Sequence, residues 1–539
     1  MSIKGYILWL WRAAEGVRGR IFLQAAVGVV HVVFSLMYVW TSKQLIDIAT
    51  SRIDGNIYLF VAAMVGCIIV QILLSTFVSR KEIESELDMK NHLRHRLFSH
   101  IMDSRWAEGG RMHTGDVMNR IWEDVDTIAN TICVVVPQSI VTCIQFVAAV
   151  TFLALLDYRL AIAVVFILPS FMLLSRVYAR RIRNYNKQIR DIDSRVQAHI
   201  QESMHHRTLL YSMEYTPCVV EDLQTMQSDL REKVMRSTDF TLFSRKMMQM
   251  GFSVGYLSAF VWGAFRLQAG AGYGLMTAFM QLAGQVQRPI MELSRQLPSF
   301  IHVTTSVDRL AELADLPIVE RGTVRLDGGV GIRMRGVSFS YRDGEQVLDE
   351  FTYDFAAGRM TAILGYTGAG KSTLLRIILG LIAPQRGEAT IYNAEQEVPL
   401  SSVTRCNLAY VPQGNSLMSG TVRSNLLLGN PKASEEQMWQ ALHIAVADFV
   451  RDLPQGLDTP CSESGGGLSE GQAQRIAIAR ALLRDRSVII MDEPTAALDS
   501  ATEELLLARL AEYARARTMI IVTHHSTAAE LCDAVLEIA

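Results

Sequence analysis

Apolar positions run in long unbroken blocks through the first half of the chain and in short blocks through the second. Phe22 to Trp40, Tyr58 to Val78 and Ile132 to Leu156 contain no Asp, Glu, Lys or Arg, and each is long enough to cross a hydrocarbon layer of about 30 Å as a helix. Leu160 to Ser175 forms a fourth expected crossing, flanked by Arg159 and Arg176, which can snorkel to the interface. Met247 to Phe265 is a fifth, with Gln249 as its obvious polar residue. A sixth is expected between Gly274 and about Ser306, although Gln281, Gln285, Gln287, Arg288, Glu292 and Arg295 interrupt it. Such residues in a membrane helix face protein or a water-filled cavity.

Charge orients these crossings. Arg80, Lys81, Lys90, Arg94, Arg96, Arg105, Arg111 and Arg120 follow the second crossing, and Arg176, Arg180, Arg181, Arg183, Lys187, Arg190 and Arg195 follow the fourth. The excess of positive charge places both loops, and with them both chain ends, in the cytoplasm. Helical charge spacing, as in Glu82, Glu86 and Lys90 or Arg183, Lys187 and Asp191, extends the membrane helices beyond the lipid. Twenty such residues would reach about 30 Å. Tyr6 to Val17, with Trp9 and Trp11 beside Arg12 and Arg18, is expected to be an interfacial helix rather than a signal peptide.

After Leu316 the texture changes. Residues 317–331 read as a linker marked by Pro317 and the cluster Gly322, Gly328, Gly329 and Gly331, and from residue 332 short strands such as Ile332 to Phe339, Met360 to Leu364 and Val488 to Met491 alternate with helices. Residues 1–316 are thus expected to be an all-α polytopic membrane domain and residues 332–539 an α/β domain with a largely parallel sheet. Composition agrees: among 539 residues, 50% are hydrophobic and 20% charged, and mean hydropathy is +0.19. With 52 basic and 54 acidic residues the net charge is −2, which argues against nucleic acid as a partner. The 7 cysteines are scattered and lack CxxC spacing, so they suggest neither a disulfide framework nor a zinc site.

Gly365, Gly370, Lys371 and Ser372 satisfy the phosphate-loop pattern GxxxxGK[ST], between the apolar strand Thr361 to Leu364 and the apolar helix Thr373 to Leu381. Phosphates need backbone N–H groups at close range, a helix N-terminus and a cation. Gly365, Thr367, Gly368, Ala369, Gly370 and Thr373 supply these, with Lys371 as the cation and Ser372 as a Mg²⁺ ligand. The buried strand Val488 to Met491 ends in Asp492 and Glu493, which places two carboxylates at the edge of the sheet where ligands bind in such folds. Asp492 is expected in the Mg²⁺ sphere, and Glu493 is expected to orient or deprotonate the attacking water.

Further motifs resemble those of one family, the ABC transporters. Leu468, Ser469, Glu470, Gly471 and Gln472 resemble the LSGGQ signature, with Glu470 where glycine is commonest. Tyr341 resembles the adenine-stacking residue, Gln413 the Q-loop glutamine that reaches Mg²⁺ or the lytic water, Ala497, Leu498 and Asp499 the D-loop, and His524, rather than His525, the switch histidine. Glu463 resembles the X-loop glutamate, and Gly115, Arg120 and Asp124 resemble the first cytoplasmic loop of exporter-type members. The resemblance implies an ABC-type P-loop ATPase domain behind six membrane helices with long cytoplasmic extensions.

It also implies ATP and Mg²⁺ as cofactors, and a dimer with a second half-transporter, identical or not. Ser469 and the Gly471 N–H would cap the γ-phosphate of ATP held by the partner. Glu470 is expected to point outward, because a carboxylate at close range would repel that phosphate. Segments around Glu108 to Asp116 and His206 to Tyr215 would be coupling helices. The implied function is an ATP-driven exporter in a bacterial cytoplasmic membrane, surrounded by lipid and moving an amphipathic solute such as a lipid, peptide or drug. An importer on the same fold and a nucleotide-gated channel are the alternatives.

Overall fold

A backbone in lipid must satisfy its own hydrogen bonds, and the apolar blocks of the first half are helices. The computed structural model describes residues 2–104, 114–320, 322–342, 345–366, 368–461, 467–515, 517–524 and 529–538, without the side chains of 3, 114, 167–183, 186–187, 244–245, 248, 342 and 345. Thr367, Glu463, His525 and most of the first expected coupling segment lie outside the described residues, as do the side chains of the second half of the fourth expected crossing.

The chain divides into two compact units, Met1–Phe98 with His113–Ala314 and Ser99–Met112 with Asp315–Ala539. The first unit is helical: α1 (Ile3–Ala13), α2 (Arg18–Ala49), α3 (Ile57–Met102), α4 (114–156), α5 (Tyr158–His205), α6 (Arg207–Ser212), α7 (Thr216–Gln268) and α8 (Tyr273–Ala314). Helix α4 is interrupted by π turns at Arg120–Asp124 and Thr131–Val135. Among the described residues, Arg18–Ala49, Ile57–Met102 and Gly115–Leu156 are long and apolar enough by composition to cross a membrane.

Helix α8 has the length but carries polar residues that face its neighbours. Gln281 Nε2 donates to Ser42 Oγ at 3.2 Å, Gln285 Nε2 to Ser35 Oγ at 3.0 Å, and Gln287 Nε2 to the Phe252 carbonyl at 3.2 Å. Small residues at the helix contacts, Ala149, Ala161, Ala259, Ala278 and Ala283, pack around Phe279 and Leu282, and let the helices approach closely where no hydrophobic effect drives association. Large apolar side chains such as Leu73, Leu155 and Phe166 point outward.

A charged cluster closes one end of this unit. Arg120, buried, donates from Nε to Asp116 at 2.8 Å and from Nη1 to Glu312 at 2.7 Å and to the Arg309 carbonyl at 3.0 Å. Arg309 Nη2 donates to Asp116 at 3.0 Å, and Ser306 Oγ donates to Asp124 at 2.8 Å. The Arg120–Asp124 π turn therefore carries two of the residues that bind α8, and Asp116 one turn earlier is a third.

The described residues of the second unit form two large sheets and one short two-stranded antiparallel pair. The strands are β1 (Gly331–Arg342), β2 (Glu345–Phe355), β3 (Met360–Gly365), β4 (Arg386–Tyr392), β5 (Glu397–Pro399), β6 (Leu408–Val411), β7 (Gly420–Thr421), β8 (Pro460–Cys461), β9 (Val488–Asp492), β10 (Thr518–Val522) and β11 (Ala534–Ile538). Five form a parallel sheet in the order β11-β3-β10-β9-β6, and four form a separate antiparallel sheet in the order β2-β1-β4-β5, where the sequence predicts a largely parallel sheet. Helix α9 (Lys371–Ile378) follows the phosphate loop. Its Leu374, Ile377 and Ile378 share one core with Ile332, Met334 and Phe355 of the antiparallel sheet and with Ile363, Ile490 and Val522 of the parallel one. Each such burial contributes about 1.5–3 kcal/mol, which fixes the N-terminus of α9 above the sheet edge. Helices α10 (Val422–Leu427), α11 (Glu435–Ile444), α12 (Glu470–Leu483) and α13 (Ser500–Ala514) pack on the other side of the parallel sheet.

The segment after α8 is not free. The Val319 N–H donates to the Asp103 carbonyl at 2.7 Å, Ser104 bridges to Ile318, and His100 Nε2 lies 3.1 Å from the Leu316 carbonyl.

Candidate active site

The phosphate loop leaves β3 and turns into α9 through Gly370, whose φ of +91° belongs to the left-handed region. A side chain there would also meet the Val347 carbonyl at 2.9 Å. Lys371 Nζ donates to the carbonyl of Gly365 and, at 3.3 Å, to that of Tyr366, so its ammonium lies within the loop. A cleft of about 630 Å³ opens here, lined by Gly365, Gly368, Gly370, Lys371, Ser372, Thr373, Gln413, Glu493 and His524. Val347 and Tyr366 line it as well. Neither was legible as a site residue, since one reads as a strand residue and the other as a variable loop position.

Three side chains meet at the cleft. Gln413 Nε2 donates to Glu493 Oε2 at 2.6 Å, and His524 Nδ1 lies 3.4 Å from Glu493 Oε1. They are distant in sequence, and the parallel sheet assembles them: Gln413 follows β6, Glu493 follows β9 and His524 follows β10. Glu493 has a φ of +48°, uncommon for a residue with a side chain and costing about 1–3 kcal/mol. Its N–H donates to the Val522 carbonyl at 2.8 Å and its own carbonyl accepts from Gln474 Nε2 at 2.6 Å.

Asp492 ends β9, half-buried. Burial first and the neighbouring Glu493 charge second raise its pKa above the ordinary aspartate range, with Lys371 opposing them. Burial, with Asp492 adding to it, pushes the nearby Tyr410 phenol up to about 12. Tyr341 stands beside the cleft rather than in its lining: its hydroxyl accepts from Arg376 Nη1 at 2.8 Å and from Thr373 Oγ1 at 3.3 Å, and Phe339 packs edge-on to its ring at 5.0 Å. Ala369 Cβ would be 3.5 Å from a side chain built on Gly365, so it braces the start of the loop.

The signature residues occupy the start of α12, and none of Ser469, Glu470, Gly471 and Gln472 lines this cleft. The Ser469 N–H donates to Gln472 Oε1 at 2.9 Å and the Gln472 N–H donates to Ser469 Oγ at 3.2 Å, a reciprocal capping box. Glu470 is exposed, with Oε1 3.7 Å from the position a side chain would take on Gly414. Gly471 is required by contact: a side chain there would lie 2.5 Å from the Ala497 carbonyl and 3.0 Å from Leu498 Cδ2. Asp499 caps α13 by accepting from the Thr502 N–H at 3.0 Å and the Thr502 hydroxyl at 2.8 Å, and these bonds lower its pKa.

A helical membrane unit joined to an α/β unit with this cleft defines an ATPase coupled to transport. Residues 21–290 match the family described as ABC transporter transmembrane region, and residues 348–496 match the one described as ABC transporter. The chain belongs to the ABC transporter family. It is 28% identical over 460 residues to a probable multidrug resistance ABC transporter ATP-binding/permease protein of Bacillus subtilis, covering 82% of this chain and 67% of that one. It is also 28% identical over 461 residues to an ATP-dependent lipid A-core flippase of Pseudomonas fluorescens, covering 84% and 76%. Its fold matches the structure of a bacterial Atm1-family ABC exporter with ATP bound, at a TM-score of 0.80 and 21% identity, over 97% of this chain and 94% of the other. One membrane unit and one ATPase unit in a single chain make it a multi-pass half-transporter of the exporter type, which binds and hydrolyses ATP.

Proposed function

We propose that this half-transporter pairs with a second one, identical or different, and uses MgATP to move an amphipathic solute out of the cytoplasm. The observation that carries the mechanism is the Glu493 carboxylate held between Gln413 and His524 at the phosphate-loop cleft. Glu493 takes the proton of the attacking water, Gln413 orients that water, and His524 donates toward the γ-phosphate. Lys371 and the N–H groups of Gly365 to Thr373, Thr367 and Ala369 included, hold the phosphates, and Tyr341 stacks on the adenine.

The residues present fit Mg²⁺. Ser372 lines the cleft, and Asp492 is a carboxylate whose negative charge is opposed by burial and by Glu493, so a dication would relieve both. Mg²⁺ takes few protein oxygens and fills its sphere with water and phosphate, and Ser372, Asp492 and Gln413 would suffice. When bound it neutralises charge on the phosphate oxygens.

Because Ser469, Glu470, Gly471 and Gln472 lie outside the chain's own cleft, the start of α12 is free to cap the ATP of the partner, and the D-loop residues Ala497 and Leu498 pack against it. ATP then joins the paired ATPase units, and its hydrolysis releases them. The polar contacts of Gln281 and Gln285 with α2 amid apolar neighbours suit a solute with both polar and apolar parts, as do the multidrug resistance and lipid A-core flipping for which the two relatives are named. Basic loops support a cytoplasmic ATPase unit in a cytoplasmic membrane.

The test is ATP-driven flux in sealed inside-out membrane vesicles carrying the chain, with a fluorescent lipid and a lipophilic cation as probes. Export predicts ATP-dependent accumulation inside the vesicles. ATP-driven loss of preloaded probe from the lumen supports import instead.

A further inference from the structure

We propose that Gln474 is a positioning residue for ATP hydrolysis, holding Glu493 in the backbone conformation that aims its carboxylate into the cleft. This rests on the reading of Glu493 as the acceptor of the water's proton. Gln474 is 1% exposed and lies on α12 beside the buried Ala473, Ile476 and Ala477. An amide in such surroundings is costly unless bonded, and its Nε2 is bonded to the Glu493 carbonyl at 2.6 Å.

Two local preferences oppose the conformation of Glu493. Its φ of +48° is left-handed, and it precedes Pro494, whose ring drives the preceding residue toward extended backbone. Hydrogen bonds on both sides override them: the N–H is held by Val522 at 2.8 Å, and the carbonyl by Gln474. Ala496 N–H reaches the same carbonyl only at 3.4 Å. Without the Gln474 donor the carbonyl is free to swing, φ returns toward the extended region, and the side chain follows the backbone away from Gln413 and His524.

The same helix meets this loop again where Gly471 packs on the Ala497 carbonyl. Helix α12 therefore grips the loop at both ends, and a displacement of the signature helix is transmitted to the Glu493 carboxylate.

The experiment uses the full-length chain in lipid discs. In Gln474→Met, kcat for MgATP falls about tenfold or more, while KM and the affinity for a fluorescent ATP analogue stay within about twofold. Gln474→Leu also removes the donor without adding a titratable group and shows the same fall, which decides the matter if the methionine variant does not fold. Added to Glu493→Gln, Gln474→Met causes no further loss in single-turnover phosphate release, because the group it positions is gone. Full kcat in either folded Gln474 variant overturns the proposal, as does a loss that adds in full to that of Glu493→Gln. Full turnover in Glu493→Gln alone sinks instead the role given to Glu493.

Discussion

Gln413 and Glu493, 80 positions apart, are joined by a 2.6 Å hydrogen bond from the amide Nε2 to the carboxylate Oε2. The bond leaves Oε1 toward His524 and places a basic oxygen where the phosphate loop opens. Glu493→Gln keeps the shape and removes the base. It is expected to bind ATP normally and to hydrolyse it about 10²–10⁴-fold more slowly, with the nucleotide-bound dimer accumulating. Phosphate release and size-exclusion chromatography check this, and undiminished hydrolysis would contradict it.

Lys371 is the cation within the phosphate loop. Charge-assisted contacts to phosphate are worth about 1.5–3 kcal/mol, so Lys371→Ala should weaken ATP binding roughly 10–100-fold. Equilibrium binding of a fluorescent ATP analogue reads this directly, and an unchanged affinity would exclude Lys371 as a phosphate contact.

Asp492 links pH to stability. Its raised pKa, caused by burial and then by Glu493, means that the folded state binds more protons than the unfolded state between the ordinary aspartate pKa and the raised value. Stability therefore falls as pH rises through that window. Asp492→Asn removes this cost: without nucleotide or metal, the thermal midpoint of the ATPase unit should rise at neutral pH and lose part of its pH dependence, while hydrolysis is abolished. Scanning calorimetry across the window would show the opposite sign if Asp492 were stabilised by its charge.

At Gly471 the backbone of the D-loop lies too close for any side chain. Gly471→Ala forces Ala497 and Leu498 to move, at about 1–3 kcal/mol. ATPase should drop while ATP binding at the phosphate loop is kept. Equal losses of both would mean that the damage spreads through the whole unit.

Arg120 gathers Asp116, Glu312 and the Arg309 carbonyl while itself buried. Arg120→Ala leaves these groups without their shared donor and should cost about 1–3 kcal/mol, discounted because Glu312 is 59% exposed. Arg120→Lys should not restore the loss, since one ammonium cannot replace the planar fork. The thermal midpoint of the detergent-solubilised protein measures both variants, and full recovery by lysine would show that charge alone suffices.

Much of this was legible in local pattern. Unbroken apolar blocks gave helices in the first unit, and β3, β9 and β10 follow the short apolar runs before Gly365, Asp492 and His524. Gly370, Lys371 and Ser372 were legible because a phosphate loop needs particular residue types at consecutive positions. Local pattern was poorer for α8, because Gln281, Gln285 and Gln287 look like breaks in an apolar run until their partners on α2 and α7 are known.

By itself the sequence determined the long helices of the first unit, the strands that lead to Gly365, Asp492 and His524, and the chemical groups at those strand ends, because helix and strand periods and loop chemistry depend on neighbours a few positions away. Only the tertiary structure decided that Gln474 supports Glu493, that Arg120 gathers acids from two helices, that residues 100–104 meet 316–319, and that four strands form a separate antiparallel sheet. Each of those depends on which distant segments come within hydrogen-bonding distance. That is set by how all the apolar faces pack at once, and no window along the chain contains it.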